Sequence, residues 1–381
     1  MKSTTTRKAI LLGDISESGG TGTYFERAME LLAAEFELHI VLRKEQDSPW
    51  LRERLAKNAY SYSIDYALFG KFEVFIMKAF SKLGFGLPYT FFREHLFFRR
   101  LCKKYRPDLI FISQGGGVKY FTAFLYPVPV VIVSHSLFTS PITNAMWGFS
   151  FLKHFNSINS SKKRLIQMSG FAENLYKKNI HNASLARIST VVPNYGTAYT
   201  VRPRFDKKIN ILTIGHVTGY KNPQIWIEVA RRLECLFPGR LTWTWAGNGP
   251  DLREFMMKTE NDSNIAFIGF QKDVSKIYAS CDIYFQPSIW ESQGISVVDA
   301  MASSIPCIVS NAGGLPESIR DGIEGFVCDA LSVDSYIDAF KKLIDDPLLR
   351  REMGERAKKR FLERFSREEW RVRMKKLVST L

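Results

Sequence analysis

Short apolar runs alternate with amphipathic segments along both halves of the chain, and this alternation predicts strands separated by helices. In the first half the predicted strands are Lys8–Gly13, Leu38–Leu42, Asp108–Ser113, Val128–Ser134 and Ile188–Val192. In the second half they are Ile209–Gly215, Leu241–Ala246, Ile265–Gly269, Ile283–Gln286 and Pro306–Ser310. Buried parallel strands are typically short, β-branched and bounded by Gly, Pro or polar residues. The pattern therefore predicts α/β layers with parallel sheets.

The alternation lapses between residues 197 and 208, where the chain is polar, carries Pro203 and shows no periodicity. We interpret this stretch as a linker between two doubly wound, Rossmann-like domains that face a cleft. Residues 1–196 form the first domain and residues 209–360 the second. A last helix, basic and amphipathic, is predicted from about Arg367. Because such sheets bind ligands at the carboxyl ends of their strands, the loops after the strands are expected to carry the chemistry.

Composition narrows the class of protein. The chain has 381 residues, of which 45% are hydrophobic and 24% charged, which is typical of a soluble two-domain protein. No apolar run approaches the ~20 residues of a membrane-spanning helix, and Gly13 and Asp14 interrupt the run that a secretory signal would need. The five cysteines form no C-x-x-C pair, which indicates reduced thiols. A cytoplasmic protein is therefore expected.

The charge of the chain indicates an anionic partner. The net charge is +15, and residues 51–200 carry 20 basic against 6 acidic side chains. A phospholipid surface, a nucleic acid or a phosphorylated substrate would each suit such an excess. Within Tyr60–Phe98, aromatic residues are interleaved with Lys and Arg, and an apolar set recurs at helical spacing: Phe72, Phe75, Ile76, Phe80 and Leu83. This pattern fits an interfacial membrane helix, and it also fits a buried helical face.

The most informative loop follows the predicted strand Ile283–Gln286. Glu291 precedes Gly294, where a helix is predicted to begin, so the N–H groups of Gly294, Ile295 and Ser296 would form a phosphate site. Glu291 would lie beside that phosphate, and Asp299, in the first two helical turns, could hold a second pair of hydroxyls. The alternative is that Glu291 is a solvated loop acid and Asp299 a surface residue.

A second loop, Gly215–Pro223, follows the first strand of the second domain. Lys221 is placed to meet a phosphate as a point charge, with His216 as a neighbouring donor. The sequence lacks the G-K-[ST] ending of a Walker loop. A lone loop lysine is often simply solvated, and that alternative stays open here.

Three further segments are weaker candidates. Gly19 and Gly20 belong to a glycine-rich turn after the first strand, which could cradle a phosphate or only turn the chain. His135 follows a strand end and could orient a hydroxyl or shuttle a proton, or be structural. Gly313 and Gly314 begin a turn that could line a cleft or serve only to turn the chain. The sequence contains neither a D-x-D pair nor a zinc pattern, so a divalent metal that bridges a diphosphate has no obvious ligand set.

Together these segments resemble the retaining glycosyltransferases of family 4, which have the GT-B fold. The span from Glu291 to Asp299 resembles that family's E-x7-E motif, and Gly215 to Lys221 its G-R-L-x-x-x-K segment. Further matches, in the expected order, are Gly19-Gly20, Ser134-His135, Pro193-Asn194, Gly247-Asn248-Gly249-Pro250 and Gly313-Gly314-Leu315-Pro316-Glu317. Three positions depart from the family: Asp299 replaces Glu, His216 replaces Arg, and Gln293 replaces a Phe of the sugar subsite.

The resemblance implies a donor, a nucleotide diphosphate sugar, held mainly by the second domain, with no cofactor and no metal. It implies that Lys221 and His216 contact the diphosphate, Glu291 the donor sugar, Asp299 the ribose, and the amides near Gln293–Ile295 the phosphate or sugar. It further implies that His135 approaches the sugar from an acceptor-binding first domain, and that residues 361–381 cross back to that domain.

The function expected on this basis is retaining transfer to a lipid-linked or cell-surface glycan, such as a lipopolysaccharide or polysaccharide. The protein would work at the cytoplasmic membrane face, as a peripheral protein on an anionic surface. The alternatives are a soluble acceptor, a catalytically inactive GT-B scaffold, and another GT-B enzyme such as a sugar-nucleotide epimerase. A nucleic-acid partner is not expected, because no recognised RNA or DNA module appears.

Overall fold

The computed structural model describes residues 7–13, 20–42, 52–53, 56, 62–66, 86–114, 120–139, 160–180, 182–200 and 208–381. The chain divides into two compact units. The first comprises Met1–Met168, Ala172–Val192 and Met374–Leu381, and the second comprises Ser169–Phe171 and Pro193–Arg373.

The strands of the first unit are β1 (Lys8–Gly13), β2 (Glu37–Leu42), β3 (Tyr62–Tyr66), β4 (Leu109–Gln114), β5 (Val130–Ser134), β6 (Lys163–Gln167) and β7 (Ser189–Val191). The helices of this part of the chain are α1 (Gly20–Ala33), α2 (Gly86–Tyr105), α3 (Gly170–Asn179) and α4 (Ala183–Arg187). Among the described residues the strands form one parallel sheet with the order β3-β2-β1-β4-β5-β6-β7. The direction of winding reverses between β1 and β4, which makes the carboxyl edge there the switch point of this sheet.

The strands of the second unit are β8 (Ile209–Ile214), β9 (Leu241–Ala246), β10 (Ile265–Phe267), β11 (Ile283–Gln286), β12 (Cys307–Ser310) and β13 (Gly325–Cys328). The helices from residue 208 onward are α5 (Pro223–Leu236), α6 (Leu252–Lys258), α7 (Ser275–Ala279), α8 (Ile295–Ala302), α9 (Leu315–Ser318), α10 (Val333–Asp345), α11 (Pro347–Arg364) and α12 (Arg367–Ser379). The sheet is again parallel, with the order β10-β9-β8-β11-β12-β13. Its switch point lies between β8 and β11.

Each sheet is buried by helices on its faces, as the unbroken apolar strands require. In the first unit, Ile110 and Ile132 pack with Phe98 and Phe121 in one apolar cluster. In the second unit, Trp226 of α5 meets Trp243 of β9 with ring centroids 5.6 Å apart. These cores fix the strand ends, and therefore the loops that follow them, within each unit.

The fold confirms the expected doubly wound α/β class, the predicted strands in both halves and the start of the last helix at Arg367. The strands β3, β6 and β13 were not predicted. Residues Pro193–Thr200, which we assigned partly to the first domain and partly to a linker, lie in the second unit. Met374–Leu381 groups with the first unit. The apolar set from Phe72 to Leu83 lies outside the described residues.

The described helices include none that is both long enough and apolar enough to cross a membrane.

Candidate functional site

The two most informative loops of the sequence flank the switch point of the second sheet. Lys221 lies in a short 3-10 helix, Gly219–Lys221, on the connection that follows β8. Glu291 lies on the connection that follows β11, and β8 and β11 are paired neighbours. Parallel sheets of this kind bind ligands at this place. The structure therefore brings these two predicted site residues together.

Lys221 and Glu291 form an ion pair through Nζ and Oε2. The two side chains are only 11% and 14% exposed, so solvent screens the pair much less than a surface salt bridge. The Lys221 side chain also passes Gly215, the residue after β8, since a Cβ built on Gly215 would lie 3.5 Å from Lys221 Cε. The sequence predicted a role for each residue separately and did not predict that they contact each other.

Two glycines hold the backbone of Glu291. Gly313 has a φ of +63°, and a Cβ there would lie 1.9 Å from the carbonyl oxygen of Glu291. Gly314 donates its N–H to the same oxygen at 3.0 Å. Only glycine combines this left-handed backbone with such a close approach. The Gly313-Gly314 turn therefore supports the acidic loop.

Helix α8 begins directly after this loop. Gly294, at its start, has a φ of +83°, and no side chain among the described residues caps this end of the helix. A Cβ on Gly294 would lie 3.6 Å from Glu291 Cγ, so the helix start and the acid are neighbours. The N–H groups of a first helical turn, with the helix dipole, attract anions. The predicted phosphate site at Gly294 and Ile295 thus lies beside the Lys221–Glu291 pair.

Two predicted binding residues contact the segment that joins the sheets. Asp299 accepts the N–H of Thr197 at 2.6 Å. Gln293 is buried, and its side chain accepts from Asn194 N at 2.7 Å and donates to Asn194 O at 3.0 Å. The Gln293 side chain therefore anchors this segment within the second unit. The spacing of Asp299 from Glu291 gave no signal of the contact with Thr197, because that contact depends on tertiary packing.

His216 is exposed in the turn after β8. In the first unit, His135 directly follows β5, and its Nε2 lies 2.9 Å from Ser113 Oγ. Gly20 begins α1, while Gly19 lies outside the described residues. Thus Gly20 and His135 lie in the first unit and the other described candidates in the second.

A buried polar network lies beneath the second-unit site. Tyr284 Oη donates to Gln286 Oε1 at 2.9 Å, and Gln286 Nε2 donates to Ser288 Oγ at 2.8 Å. Tyr278 donates to the carbonyl of Ser296, in the first turn of α8, at 3.0 Å. Burial, reinforced by the charge of Asp299, raises the pKa of Tyr278 well above its ordinary value. Tyr278 therefore stays protonated and keeps donating to the helix start.

In the described part of the chain, no three His, Cys, Asp or Glu side chains gather as a metal site would require.

The part of the chain that contains this site matches a known family model. Residues 200–360 match the family model described as "Glycosyl transferases group 1". These residues therefore resemble a group 1 glycosyltransferase domain. It contains Lys221, Glu291, α8 and the Gly313-Gly314 turn.

Individual relatives match over part of the chain. The chain is 33% identical over 125 residues to N-acetyl-alpha-D-glucosaminyl L-malate synthase of Bacillus anthracis, covering 32% of this chain and 33% of that protein. It is 26% identical over 142 residues to UDP-Gal:alpha-D-GlcNAc-diphosphoundecaprenol alpha-1,3-galactosyltransferase of Escherichia coli, covering 36% of each. The chain thus matches about a third of the length of these curated relatives.

A solved structure extends the likeness of fold to the rest of the chain. Anabaena HepE, crystallised with UDP and glucose, superposes with a TM-score of 0.71 at 16% identity, covering 98% of this chain and 100% of that one. The fold is therefore GT-B, and the residues that match the family model lie in its second half.

Proposed function

We propose that the protein is a retaining, metal-independent glycosyltransferase that uses a nucleotide diphosphate sugar as donor. The observation that carries the proposal is the Lys221–Glu291 ion pair, which lies at the switch point of the glycosyltransferase domain and beside the start of α8. A cation, a carboxylate and a helix N-terminus together suit a ligand that combines a diphosphate with hydroxyl groups.

In the proposed reaction the diphosphate leaves with growing negative charge. Lys221 and the N–H groups at Gly294 and Ile295 stabilise that charge, an electrostatic effect that acts most strongly where water is excluded. Glu291 accepts hydrogen bonds from donor-sugar hydroxyls and keeps Lys221 oriented. Asp299 binds the ribose, and His216 adds a donor at the diphosphate.

The first unit supplies the acceptor side in this proposal, with His135 at the donor sugar. We propose a lipid-linked or cell-surface glycan acceptor at the cytoplasmic membrane face. The described face of α2 supports membrane contact, because Phe92 is 58% exposed, Leu96 is 38% exposed, and Arg99 and Arg100 are exposed beside them. Apolar and basic side chains along one helix face suit an anionic lipid surface.

The names of relatives are compatible with more than one acceptor. The Escherichia coli relative is named for a diphosphoundecaprenol acceptor, whereas the Bacillus anthracis relative is named for L-malate. A small soluble acceptor is therefore the second candidate, and the exposed face of α2 is what favours the first.

Donor hydrolysis tests the transferase proposal without knowledge of the acceptor. The protein is incubated with UDP-glucose or UDP-galactose, and released sugar is followed by proton NMR. Release as the α anomer is expected for retention, and initial release as the β anomer would overturn it. Lys221→Met and Glu291→Gln should each slow release by about a hundredfold or more, as when one group that stabilises the transition state is lost. Binding of UDP without any release would favour the inactive scaffold.

A further inference from the structure

The first unit carries a partly buried contact that neither the sequence motifs nor the proposed mechanism uses. Ser113 is the penultimate residue of β4, and its side chain is fully buried. Its Oγ lies 2.9 Å from Nε2 of His135, which follows the neighbouring strand β5. β4 and β5 pair so that Gln114 lies opposite Ser134. The strand register therefore fixes the distance between the serine and the histidine.

Packing holds the same histidine ring from a second direction. Tyr24 of α1 is fully buried, and its ring meets His135 edge to face with centroids 4.8 Å apart. A contact of this kind restricts the plane of the imidazole. It does not distinguish between the two orientations that a half-turn about the Cβ–Cγ bond would exchange.

The hydroxyl of Ser113 distinguishes between these two orientations of the His135 ring. A half-turn of the ring would place Cε1 where Nε2 now meets Ser113 Oγ, and the hydrogen bond would be lost. A buried hydroxyl left without a partner costs about 1–3 kcal/mol, which is enough to select one orientation strongly. Close packing of β1 against β4 fixes the backbone of Ser113, because Gly13 of β1 lies opposite Ser113 and a Cβ on Gly13 would lie 2.4 Å from Ser113 O.

We infer that Ser113 is a positioning residue for His135. It selects the ring orientation that a substrate meets at the switch point between β1 and β4. The inference deepens the proposed function, on which the importance of His135 rests. Ser113 itself is buried and acts through the imidazole, without touching the sugar.

Nitrogen-15 NMR of the histidine rings tests this directly on the full chain. The signals of His135 are identified as those lost in His135→Gln. Ser113→Ala should shift the His135 Nε2 resonance, and Ser113→Cys, which keeps a weak hydrogen-bonding group of similar size, should shift it less. Ser189→Ala is the matched control, since Ser189 lies on the same sheet and its buried hydroxyl has no partner among the described residues. It should leave the His135 signals unchanged.

Donor hydrolysis with UDP-glucose supplies the functional readout. Ser113→Ala should lower kcat about tenfold or more with KM changed less than about threefold, because a misplaced group slows the reaction step more than it weakens binding. Partial recovery in Ser113→Cys is expected, and normal turnover in Ser189→Ala.

Identical His135 ring signals in Ser113→Ala and the unmodified protein would overturn the inference. If Ser113→Ala does not fold, the same comparison with Ser113→Cys decides it. Full turnover in His135→Gln would contradict the proposed role of His135, while the ring signals would still decide whether Ser113 orients it.

Discussion

At the scale of single residues, the proposed donor site depends on two opposite charges that stabilise each other. Lys221 and Glu291 are nearly buried as a pair. Removing one charge leaves the other in a poorly solvated place, which destabilises a protein more than removing both. The ion pair therefore serves the folded state as well as the proposed donor site.

A double-mutant cycle measures this dependence. Lys221→Met and Glu291→Gln should each lower the free energy of unfolding, and the double variant should lose less than the sum of the single losses. The expected coupling is about 1–3 kcal/mol, as for contacting residues of one network. Urea unfolding at neutral pH provides the four values, and strictly additive losses would show that the two side chains are not paired in solution.

A second residue-scale prediction concerns Lys163, a fully buried lysine on β6. Its Nζ donates to the carbonyl oxygens of Tyr126 and Val128, and burial lowers its pKa from 10.5 to about 8. Between these two values the unfolded chain binds more protons than the folded protein, so the contribution of Lys163 to stability rises with pH. From pH 8 to pH 9 this rise should be about 1 kcal/mol.

Cysteine side chains also change the pH dependence of stability, so the effect of Lys163 has to be measured against a variant that lacks this lysine. Burial raises the pKa of Cys102 from 9.0 to about 11, so its contribution to stability falls as the pH rises above 9. The variant Lys163→Met has the same cysteines as the unmodified protein but lacks the lysine. The unfolding free energy of the unmodified protein, measured in urea with reductant, should therefore rise relative to that of Lys163→Met between pH 8 and 9. Equal slopes would contradict the assignment.

At the scale of elements, the Gly313-Gly314 turn supports the acidic loop. Gly313→Ala should displace Glu291, because the new Cβ would meet a backbone oxygen that cannot move alone. Gly322→Ala is the matched control, since Gly322 also has a positive φ, of +71°, and a Cβ there would meet no atom within 4 Å.

Both alanine variants should lose about 1 kcal/mol of stability through backbone strain. Gly313→Ala alone should also lose donor hydrolysis, by about a hundredfold. Thermal unfolding and UDP release from UDP-glucose check the two effects. Equal turnover in both variants would mean that the turn does not position Glu291.

Some strands could be predicted from the sequence alone, and others could not. The strands β8 and β11 are mostly apolar segments, and the candidates Lys221 and Glu291 were predicted because each follows such a segment. The strand β6 was missed because it begins with Lys163 and Arg164, whose polar groups hide a buried segment. Lys163 can be buried only because carbonyl groups of another loop surround its ammonium, and no periodicity encodes that arrangement.

The same limit applies to the site. The contact of Ser113 with His135 joins the ends of two strands, and that of Asp299 with Thr197 joins a helix to a distant segment. Both depend on strand register or tertiary packing. The sequence identified the residues that follow strands, and the structure shows which of them meet.

At the scale of the whole molecule, the exposed face of α2 predicts binding to anionic lipid. Reversing two charges there, in Arg99→Glu/Arg100→Glu, should abolish co-sedimentation with phosphatidylglycerol vesicles at low salt, because each basic residue contributes about 1 kcal/mol near such a surface. Lys358→Glu/Lys359→Glu on α11 makes the same change in net charge at another exposed adjacent pair and should still co-sediment. Equal binding of both variants would remove the membrane role of α2.

The central claim is that the Lys221–Glu291 site binds the diphosphate of a nucleotide sugar. The most direct test is the melting temperature of the full chain with UDP, GDP and ADP, because a ligand of the folded state raises it with concentration. We predict a clear rise with one of these nucleotides, the loss of that rise in Lys221→Met, and its persistence in Lys258→Met, whose lysine pairs with Glu254 on the surface of the same domain. An equal rise in both lysine variants, or no rise with any nucleotide in the folded unmodified protein, would contradict the account.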